Sequence, residues 1–223
     1  MGAASSVGSP RGEAPVVRGE NGTTLFQAEI RTSELAKRTS SAFLEISNFG
    51  IRLLNREDKQ VIKAIPMSLI HSWSPEAKSI VFVCTSSNMD LYPIELATTQ
   101  TEEILKTLHG IVSEVLLGRK ENALNEEEVI GLLTSLNNKV GLQKESQLDI
   151  LKGLLDGDRR RYLTSEKAFL VASSFSDTFD KMEATLFLQS HLIDQNKFSR
   201  VLESFESEEE RQNVWHRVYN KLY

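Results

Sequence analysis

The sequence predicts an α+β protein in which a β-rich half precedes an all-helical half. Apolar and polar residues alternate over short segments between residues 24 and 96, and beyond residue 121 the apolar residues recur every three or four positions. The charge changes at the same place: residues 1–120 carry equal numbers of basic and acidic side chains, so the net charge of −5 belongs to residues 121–223. These observations predict a disordered tail, a β-rich domain and a helical domain, at residues 1–23, 24–120 and 125–223.

The tail is rich in glycine, serine and alanine and nearly lacks large apolar side chains. It buries too little surface to offset the entropy lost on ordering, so we expect it to be disordered. Gly2 follows the initiator Met, and Ser6 stands where N-myristoylation requires Ser or Thr. The pattern predicts myristoylation of Gly2 in a eukaryotic cell, although both residues also coincide by chance in some chains. One myristoyl chain binds membranes only marginally, so a second membrane contact is expected.

Seven strands are predicted in the β-rich domain, and each is bounded by residues that favour turns. Ser47–Gly50, Asn55–Lys59 and Ser74–Ala77 are typical turn segments, and Pro66 closes the fourth strand. Pro93 lies inside the last strand and indicates a sheet edge, because proline cannot donate a backbone hydrogen bond. The predicted strands are residues 25–30, 42–46, 51–53, 61–65, 69–73, 80–84 and 91–96.

One amphipathic helix follows the strands. Thr99 and Glu102 have the spacing of a capping box, and Gly118 is predicted to end the helix. The apolar stripe is wide, so we expect the helix to pack on the sheet. Its members are Leu105, Leu108, Ile111, Val112, Val115 and Leu116.

Seven short strands followed by one amphipathic helix is the element order of the pleckstrin-homology superfold. The segments Leu44–Leu54, Ile65–Pro66, Ile70–Trp73 and Phe82–Val83 resemble the third, pleckstrin-homology-like lobe of FERM domains, over residues 24–120. The resemblance implies a seven-stranded barrel capped by a helix, and a role in binding rather than catalysis. Proteins of this superfold bind phosphoinositides, or peptides that add along a strand edge and the final helix. The first two FERM lobes are absent, so no site between lobes is inferred.

A phosphoinositide site requires several basic side chains that converge near the first hairpin. The candidates are Lys37, Arg38 and Arg52. The alternative is an ordinary solvated loop, because three basic residues in a neutral domain produce a weak field.

The helical half contains six apolar stripes with helical spacing, which predict six helices in a compact bundle or solenoid-like stack. Thr164 is the predicted N-cap of the third. The segments Phe179–Met182 and Leu192–Phe198, with Val201 and Phe205, resemble a helical domain family without an assigned function, over residues 125–223. Members of that family carry Phe-Asp followed by Asp-x-Asn-x-Phe. The resemblance implies a fold and an adaptor role only.

No catalytic or metal-binding pattern is present in the sequence. The four histidines lack the spacing of metal ligands. Asp156-Gly157-Asp158 opens like a calcium-binding loop, but Arg160 and Lys167 occupy positions that need oxygen ligands. Cys84 alternates within an apolar strand, which predicts a buried thiol rather than a nucleophile, and a lone cysteine indicates a reducing compartment. Trp73 and Trp215 lie on apolar faces and are predicted to be core residues.

We therefore expect a non-enzymatic intracellular adaptor without a cofactor, held reversibly at the cytoplasmic face of a membrane by its myristoylated tail. Its expected partner is a protein or peptide, with an anionic membrane lipid as a further partner, and nucleic acid is excluded by the net negative charge. The alternative is a phosphoinositide-binding regulatory module. An enzyme of unfamiliar type would require a cavity with strongly perturbed carboxylates.

Overall fold

The computed structural model describes residues 17–18, 23–37, 40–137 and 146–222. Within them lie eight strands: β1 Val17–Arg18, β2 Thr24–Ile30, β3 Ser41–Ser47, β4 Gly50–Asn55, β5 Val61–Pro66, β6 Ile70–Pro75, β7 Ser79–Thr85 and β8 Leu91–Ala97. The same residues form eight α-helices: α1 Ser33–Ala36, α2 Thr101–Glu121, α3 Glu126–Asn137, α4 Gln147–Leu155, α5 Ser165–Ser173, α6 Thr178–Gln189, α7 Ser199–Leu202 and α8 Glu208–Leu222. Short 3-10 helices lie at Met67–Leu69 and Gln195–Lys197.

Seven strands form an open antiparallel sheet in the order β5-β4-β3-β2-β8-β7-β6, which confirms the predicted α+β class and the seven strands. Each lies within two residues of its predicted bounds. β1 pairs with the start of β2. β2 pairs with β3 along most of its length, but with β8 only through Glu29 and Ile30. β2 therefore joins two groups of strands, β3 to β5 on one side and β6 to β8 on the other.

The strands bury alternate side chains, as the period of two predicts. In β7 the buried apolar residues are Ile80, Phe82 and Cys84, and the residues between them are only partly buried. β3 is buried on both faces, because a small separate cluster covers its outer side; this cluster consists of Leu25, Phe43 and Leu54.

Helix α2 begins where Thr98 and Gln100 tie the chain to β2. The Thr98 hydroxyl donates to the Gln27 carbonyl at 2.8 Å, and the Gln100 side-chain oxygen accepts from the Gln27 amide at 2.9 Å. The predicted capping box of Thr99 and Glu102 is wrong, because Gln100 is the N-cap and its side chain caps no helical amide. The side-chain oxygen of Gln100 instead accepts the hydrogen bond from β2.

The predicted end of α2 at Gly118 is also wrong, because the helix continues to Glu121. A glycine inside a helix costs only about 1 kcal/mol relative to alanine, which packing elsewhere along a 21-residue helix offsets. The extension carries Arg119 to the helical half, where its guanidinium donates to the Leu192 carbonyl at 2.9 Å.

Helices α3 to α8 confirm the six predicted helical segments, and Thr164 accepts from the Lys167 amide as the predicted N-cap of α5. Isolated bridges pair Ala123 with Tyr162 and Leu163 with Leu192, which join the ends of α2 and α6 to the segment before α5. One continuous apolar core extends from the sheet into these helices. No helix within the described part of the chain is both long and apolar enough to cross a bilayer.

Candidate binding groove between the sheet edge and helix α2

A groove with a cavity volume of about 630 Å³ lies between the start of β6 and the second half of α2. The turn after β5 forms one end, and the 3-10 helix Gln195–Lys197 forms the opposite wall. The groove therefore brings together the sheet, its final helix and the helical half.

The sheet side of the groove is an edge. β6 is the last strand in the sheet order, so within the described residues its second side has no strand neighbour. Trp73 lines the groove from this strand and is only partly buried, with its ring 6.2 Å from the His109 ring of α2. Trp73 packs against the apolar core as predicted, but it is only partly buried and also lines the groove. Trp215, in contrast, is buried as predicted.

Glycine is required at the turn that closes the groove. Gly50 has a φ of +144°, and a Cβ added there would lie 2.1 Å from the Ile65 carbonyl oxygen. The close approach lets the Met67 amide donate to the Phe49 carbonyl at 2.8 Å. The side chain of Phe49 is left 81% exposed at the mouth of the groove.

The helix side of the groove is apolar and incompletely covered. In the first half of α2, Ile104 and Leu108 are fully buried against the sheet. In the second half the same stripe is only partly buried and lines the groove, through Ile111, Val112, Val115 and Leu116. The sequence predicted that this whole stripe packs on the sheet; the structure leaves its last two turns available.

The third wall of the groove is formed by residues of the Asp-x-Asn-x-Phe segment of the helical half. Asp194 accepts hydrogen bonds from the Ser165 amide and hydroxyl at 2.8 and 2.9 Å, which fixes the start of α5. Asn196 donates to the His71 carbonyl of β6 at 3.4 Å, and Phe198 is buried in the core. The segment therefore anchors the helical half and places it beside the strand edge.

Titratable groups at the groove are few, and they favour an anionic contact at its end. His71, His109 and Arg119 line it together with Asp194, whose carboxylate is already engaged by Ser165. The arrangement can accept apolar side chains along α2 and a carboxylate near Arg119.

The two predicted lipid-headgroup residues that the structure describes, Lys37 and Arg52, do not line the groove. Lys37 is exposed at the end of α1, whereas Arg38 and Gly2 fall outside the described residues. Arg52 of β4 pairs with Glu45 of β3, whose side chain is 3% exposed. The structure thus assigns Arg52 to an ion pair on the outer face of the sheet, and the headgroup site stays a prediction.

Cys84 is fully buried, and burial raises the pKa of its thiol to about 12, against a smaller opposite effect of Lys63. The prediction of a buried thiol is confirmed. Asp156, the first acid of the rejected calcium-like loop, lies 2.9 Å from the Nε2 atom of His191. Among the described residues, no group of three or more His, Cys, Asp or Glu side chains is placed to hold a metal ion.

Sequence reasoning missed a cluster of arginines beside this groove, Arg119, Arg159 and Arg160. The signal was available, since Arg159-Arg160-Arg161 are consecutive in an otherwise acidic half. Comparison with protein-family models and with curated proteins gives no match for this chain.

Proposed function

We propose that this protein is a cytoplasmic adaptor whose β-domain has the pleckstrin-homology fold and binds a peptide in the groove between β6 and α2. The observation that carries the proposal is the juxtaposition of a strand edge with a half-covered apolar helix face. A peptide that pairs with β6 gains main-chain hydrogen bonds from the strand and buries its side chains against α2.

The strand order supports the fold proposed. β2 is the one strand shared by both groups, the two ends of the order are β5 and β6, and the final helix starts directly after β8. That connectivity is the one expected for a pleckstrin-homology barrel with its C-terminal helix, and for the third lobe of FERM domains. In this superfold the strand edge and the final helix form the usual peptide site.

The groove favours a partner of specific chemistry. Its volume of about 630 Å³ lies within the range of about 300–1,000 Å³ usual for binding sites. Its walls are apolar along α2, and Arg119 provides a positive charge at the end of this helix. We therefore expect an extended peptide with two or three apolar anchors and one acidic residue.

Membrane association is the second part of the proposal. The Gly2 and Ser6 pattern supports a myristoyl anchor, which by itself gives only reversible attachment. A peptide belonging to a membrane protein would supply the second contact at the cytoplasmic face. Intact-mass measurement of the protein from a eukaryotic host, beside the Gly2→Ala variant, tests this part separately: an unmodified Gly2 removes the anchor but leaves the groove.

The groove is tested with the full chain and a random peptide library displayed on phage. Selected peptides are synthesised and titrated against wild type and Val115→Glu, which places a charge on the apolar wall. Ile130→Glu is the matched control, because Ile130 is 63% exposed on α3 and outside the groove. We expect Val115→Glu to weaken binding by about tenfold or more, and Ile130→Glu to leave it unchanged.

Peptides that bind wild type and Val115→Glu equally would overturn the assignment of the groove. Circular dichroism melts of both variants show whether a loss of binding reflects unfolding. A second variant, Trp73→Ala, reaches the groove from the sheet side and is expected to weaken the same peptides.

A further inference from the structure

Three arginines converge at the junction of the two halves, in a cavity that shares Val115 and Arg119 with the peptide groove. Arg119 comes from the end of α2, and Arg159 and Arg160 come from the segment between α4 and α5. The guanidinium carbons of Arg119 and Arg160 lie 5.7 and 5.9 Å from the centre of the Tyr162 ring. One aromatic ring thus lies near two cations of like charge.

The hydrogen bonds of these arginines go to neutral acceptors. Arg119 donates to the Leu192 carbonyl at 2.9 Å and to the side-chain oxygen of Gln195 at 3.2 Å. Arg160 donates to the Ser190 carbonyl at 3.1 Å. The contacts orient both guanidinium groups and leave their charges without a counter-charge.

The other arginine of the run is different. Arg161 pairs with the carboxylate of Glu128 and donates to the Asn122 carbonyl at 3.3 Å. The backbone of Asn125 and the Arg161 side chain hold the pKa of Glu128 below its usual value, and the more distant charge of Arg159 adds a smaller effect in the same direction. In the described part of the chain, no carboxylate lies within ion-pair distance of Arg119, Arg159 or Arg160.

Burial makes this unpaired charge costly. Arg119 is partly buried, and burial lowers its pKa below the usual value; Tyr162 opposes this shift and Arg160 adds to it. Two guanidinium groups repel each other, and removal of water from one of them increases the cost. A cluster of this kind is typical of a site whose counter-charge arrives with a ligand.

Space for such a ligand is present on both sides of the cluster. A cavity of about 820 Å³ is lined by Arg119, Arg159, Arg160 and Tyr162, and a smaller one of about 320 Å³ by Arg119, Arg160, Tyr162 and Lys221. Glu114 lines the larger cavity and is its acidic member. The larger cavity is therefore lined by three arginines, one aromatic ring and one acid.

We propose that Arg119, Arg159 and Arg160 form a binding site for a phosphate group, on the larger cavity beside Tyr162. A phosphate monoester carries nearly two negative charges and several acceptor oxygens, so it neutralises two adjacent guanidinium groups, which a single carboxylate does not. The arginine fork suits phosphate oxygens geometrically. The site includes neither Lys37 nor Arg52, and it adds a ligand to the peptide groove proposed above.

The shared chemistry is a phosphate, which a soluble metabolite or a lipid headgroup can supply. Calorimetric titration of the full chain uses inorganic pyrophosphate and inositol hexakisphosphate as soluble probes. Co-sedimentation uses phosphatidylcholine vesicles with and without phosphatidylinositol bisphosphate. Binding of the soluble probes alone assigns the site to a soluble ligand, and binding of both classes shows that the headgroup reaches it.

Arg160→Gln is the main variant, because Arg160 is exposed and its loss leaves the core intact. We expect about tenfold weaker binding of both soluble probes, since a hydrogen bond to a charged group is lost together with the charge. Arg31→Gln, which breaks an exposed ion pair with Glu95 on the sheet, removes the same charge elsewhere and is expected to have no effect. Glu114→Gln removes the acidic group from the cavity and is expected to tighten binding.

Arg119→Lys keeps the charge but removes the fork, and we expect it to weaken binding as well. No binding of either soluble probe to wild type, or equal binding by wild type and Arg160→Gln, would overturn the proposal. The Trp73→Ala variant should bind the soluble probes normally, so failure of the peptide groove leaves this site testable on its own.

Discussion

Trp215 of α8 donates its indole N–H to the carbonyl oxygen of Ser86 at 3.0 Å, across the boundary between the helical half and the sheet. Ser86 lies in the turn between β7 and β8. The indole is 6% exposed and packs beside Phe198 and Tyr219, with ring centres 6.3 Å apart in both pairs. The contact is therefore buried, aromatic and hydrogen-bonded at once.

This contact predicts that the two halves unfold together. We expect one cooperative transition in urea, because the apolar core is continuous across the boundary. Trp215→Ala should lower the free energy of unfolding by about 3–5 kcal/mol, and Trp215→Phe by about 1 kcal/mol, since the latter mainly loses the hydrogen bond. Far-ultraviolet circular dichroism measures both. Two separate wild-type transitions would show that the halves are independent.

The strands and helices were predictable because each carries a strong local signal. Period-two alternation bounded by turn residues located all seven strands of the sheet, and apolar spacing located α3 to α8. The exceptions are positions where a tertiary contact overrides the local signal. Gln100, not Thr99, is the N-cap of α2, and the Gln100 side chain forms a hydrogen bond with β2. Gly118 does not end the helix, because the next residue, Arg119, is hydrogen-bonded to the helical half.

Pro93 shows the limit of a local rule at a sheet edge. β8 lies between β2 and β7, so the prediction of an edge strand is wrong. Pro93 stands opposite Val83 of β7, whereas β8 reaches β2 only at Leu96 and Ala97. A proline is tolerated here because it lies outside the part of β8 that pairs with β2.

The run Arg159–Arg161 is visible in the sequence, but the groove and the convergence of this run with Arg119 were not predictable, because both depend on how the halves meet. The apolar stripe of α2 is continuous in sequence, and only the tertiary structure shows that Ile104 is buried while Val115 lines a groove. Arg119 and Arg160 are 41 positions apart, and nothing local indicates that they share the Tyr162 ring.

The raised pKa values of Cys84 and Tyr92 predict that the protein loses stability at alkaline pH. Burial raises the pKa of Cys84 from 9.0 and that of Tyr92 from 10.0, each to about 12. The unfolded chain releases these protons first as the pH rises, so the free energy of unfolding is unaffected by them below about pH 9 and falls between about pH 9 and 12. Urea midpoints across this range measure the fall.

Cys84→Ala separates the two groups. It lowers stability at every pH through loss of packing, but the alkaline fall should begin near the ordinary pKa of Tyr92, 10.0, instead of that of Cys84, 9.0. A fall that starts at the same pH in the variant and the wild type would contradict the role assigned to the thiol.

Arg52 is predicted to stabilise the sheet through Glu45. The Glu45 carboxylate is 3% exposed and accepts from Arg52 and from the Thr23 hydroxyl. Arg52→Gln removes its counter-charge and should lower the free energy of unfolding by about 1–3 kcal/mol. Arg56→Gln is the control, because Arg56 makes an exposed hydrogen bond to Gln27 and should change stability by less than about 0.5 kcal/mol.

Equal effects of the two substitutions would show that Arg52 is not structurally required. The lipid alternative is tested on Lys37, which is exposed, because a loss of vesicle binding in Arg52→Gln could follow from altered folding. Lys37→Gln should reduce co-sedimentation with phosphatidylinositol bisphosphate vesicles if the predicted headgroup site exists.

Asp156 is predicted to hold the segment that carries the arginines. His191 is 1% exposed; its Nε2 lies 2.9 Å from the Asp156 carboxylate and its Nδ1 lies 3.1 Å from the Phe187 carbonyl. Asp156→Ala leaves one buried ring nitrogen without its partner, which should lower the free energy of unfolding by about 1–3 kcal/mol. Asp158→Ala removes the same charge two residues away at an exposed position and should cost less than about 0.5 kcal/mol.

The same two variants show whether Asp156 affects phosphate binding by holding the loop in place or only through its negative charge near the cavity. Loss of either acid makes the surroundings of Arg159 and Arg160 more positive, so electrostatics alone would tighten pyrophosphate binding equally in both. If the Asp156–His191 contact positions the loop, Asp156→Ala should instead bind pyrophosphate more weakly than Asp158→Ala, at a temperature where both are folded. Equal affinities would show that the loop keeps its conformation without the buried contact.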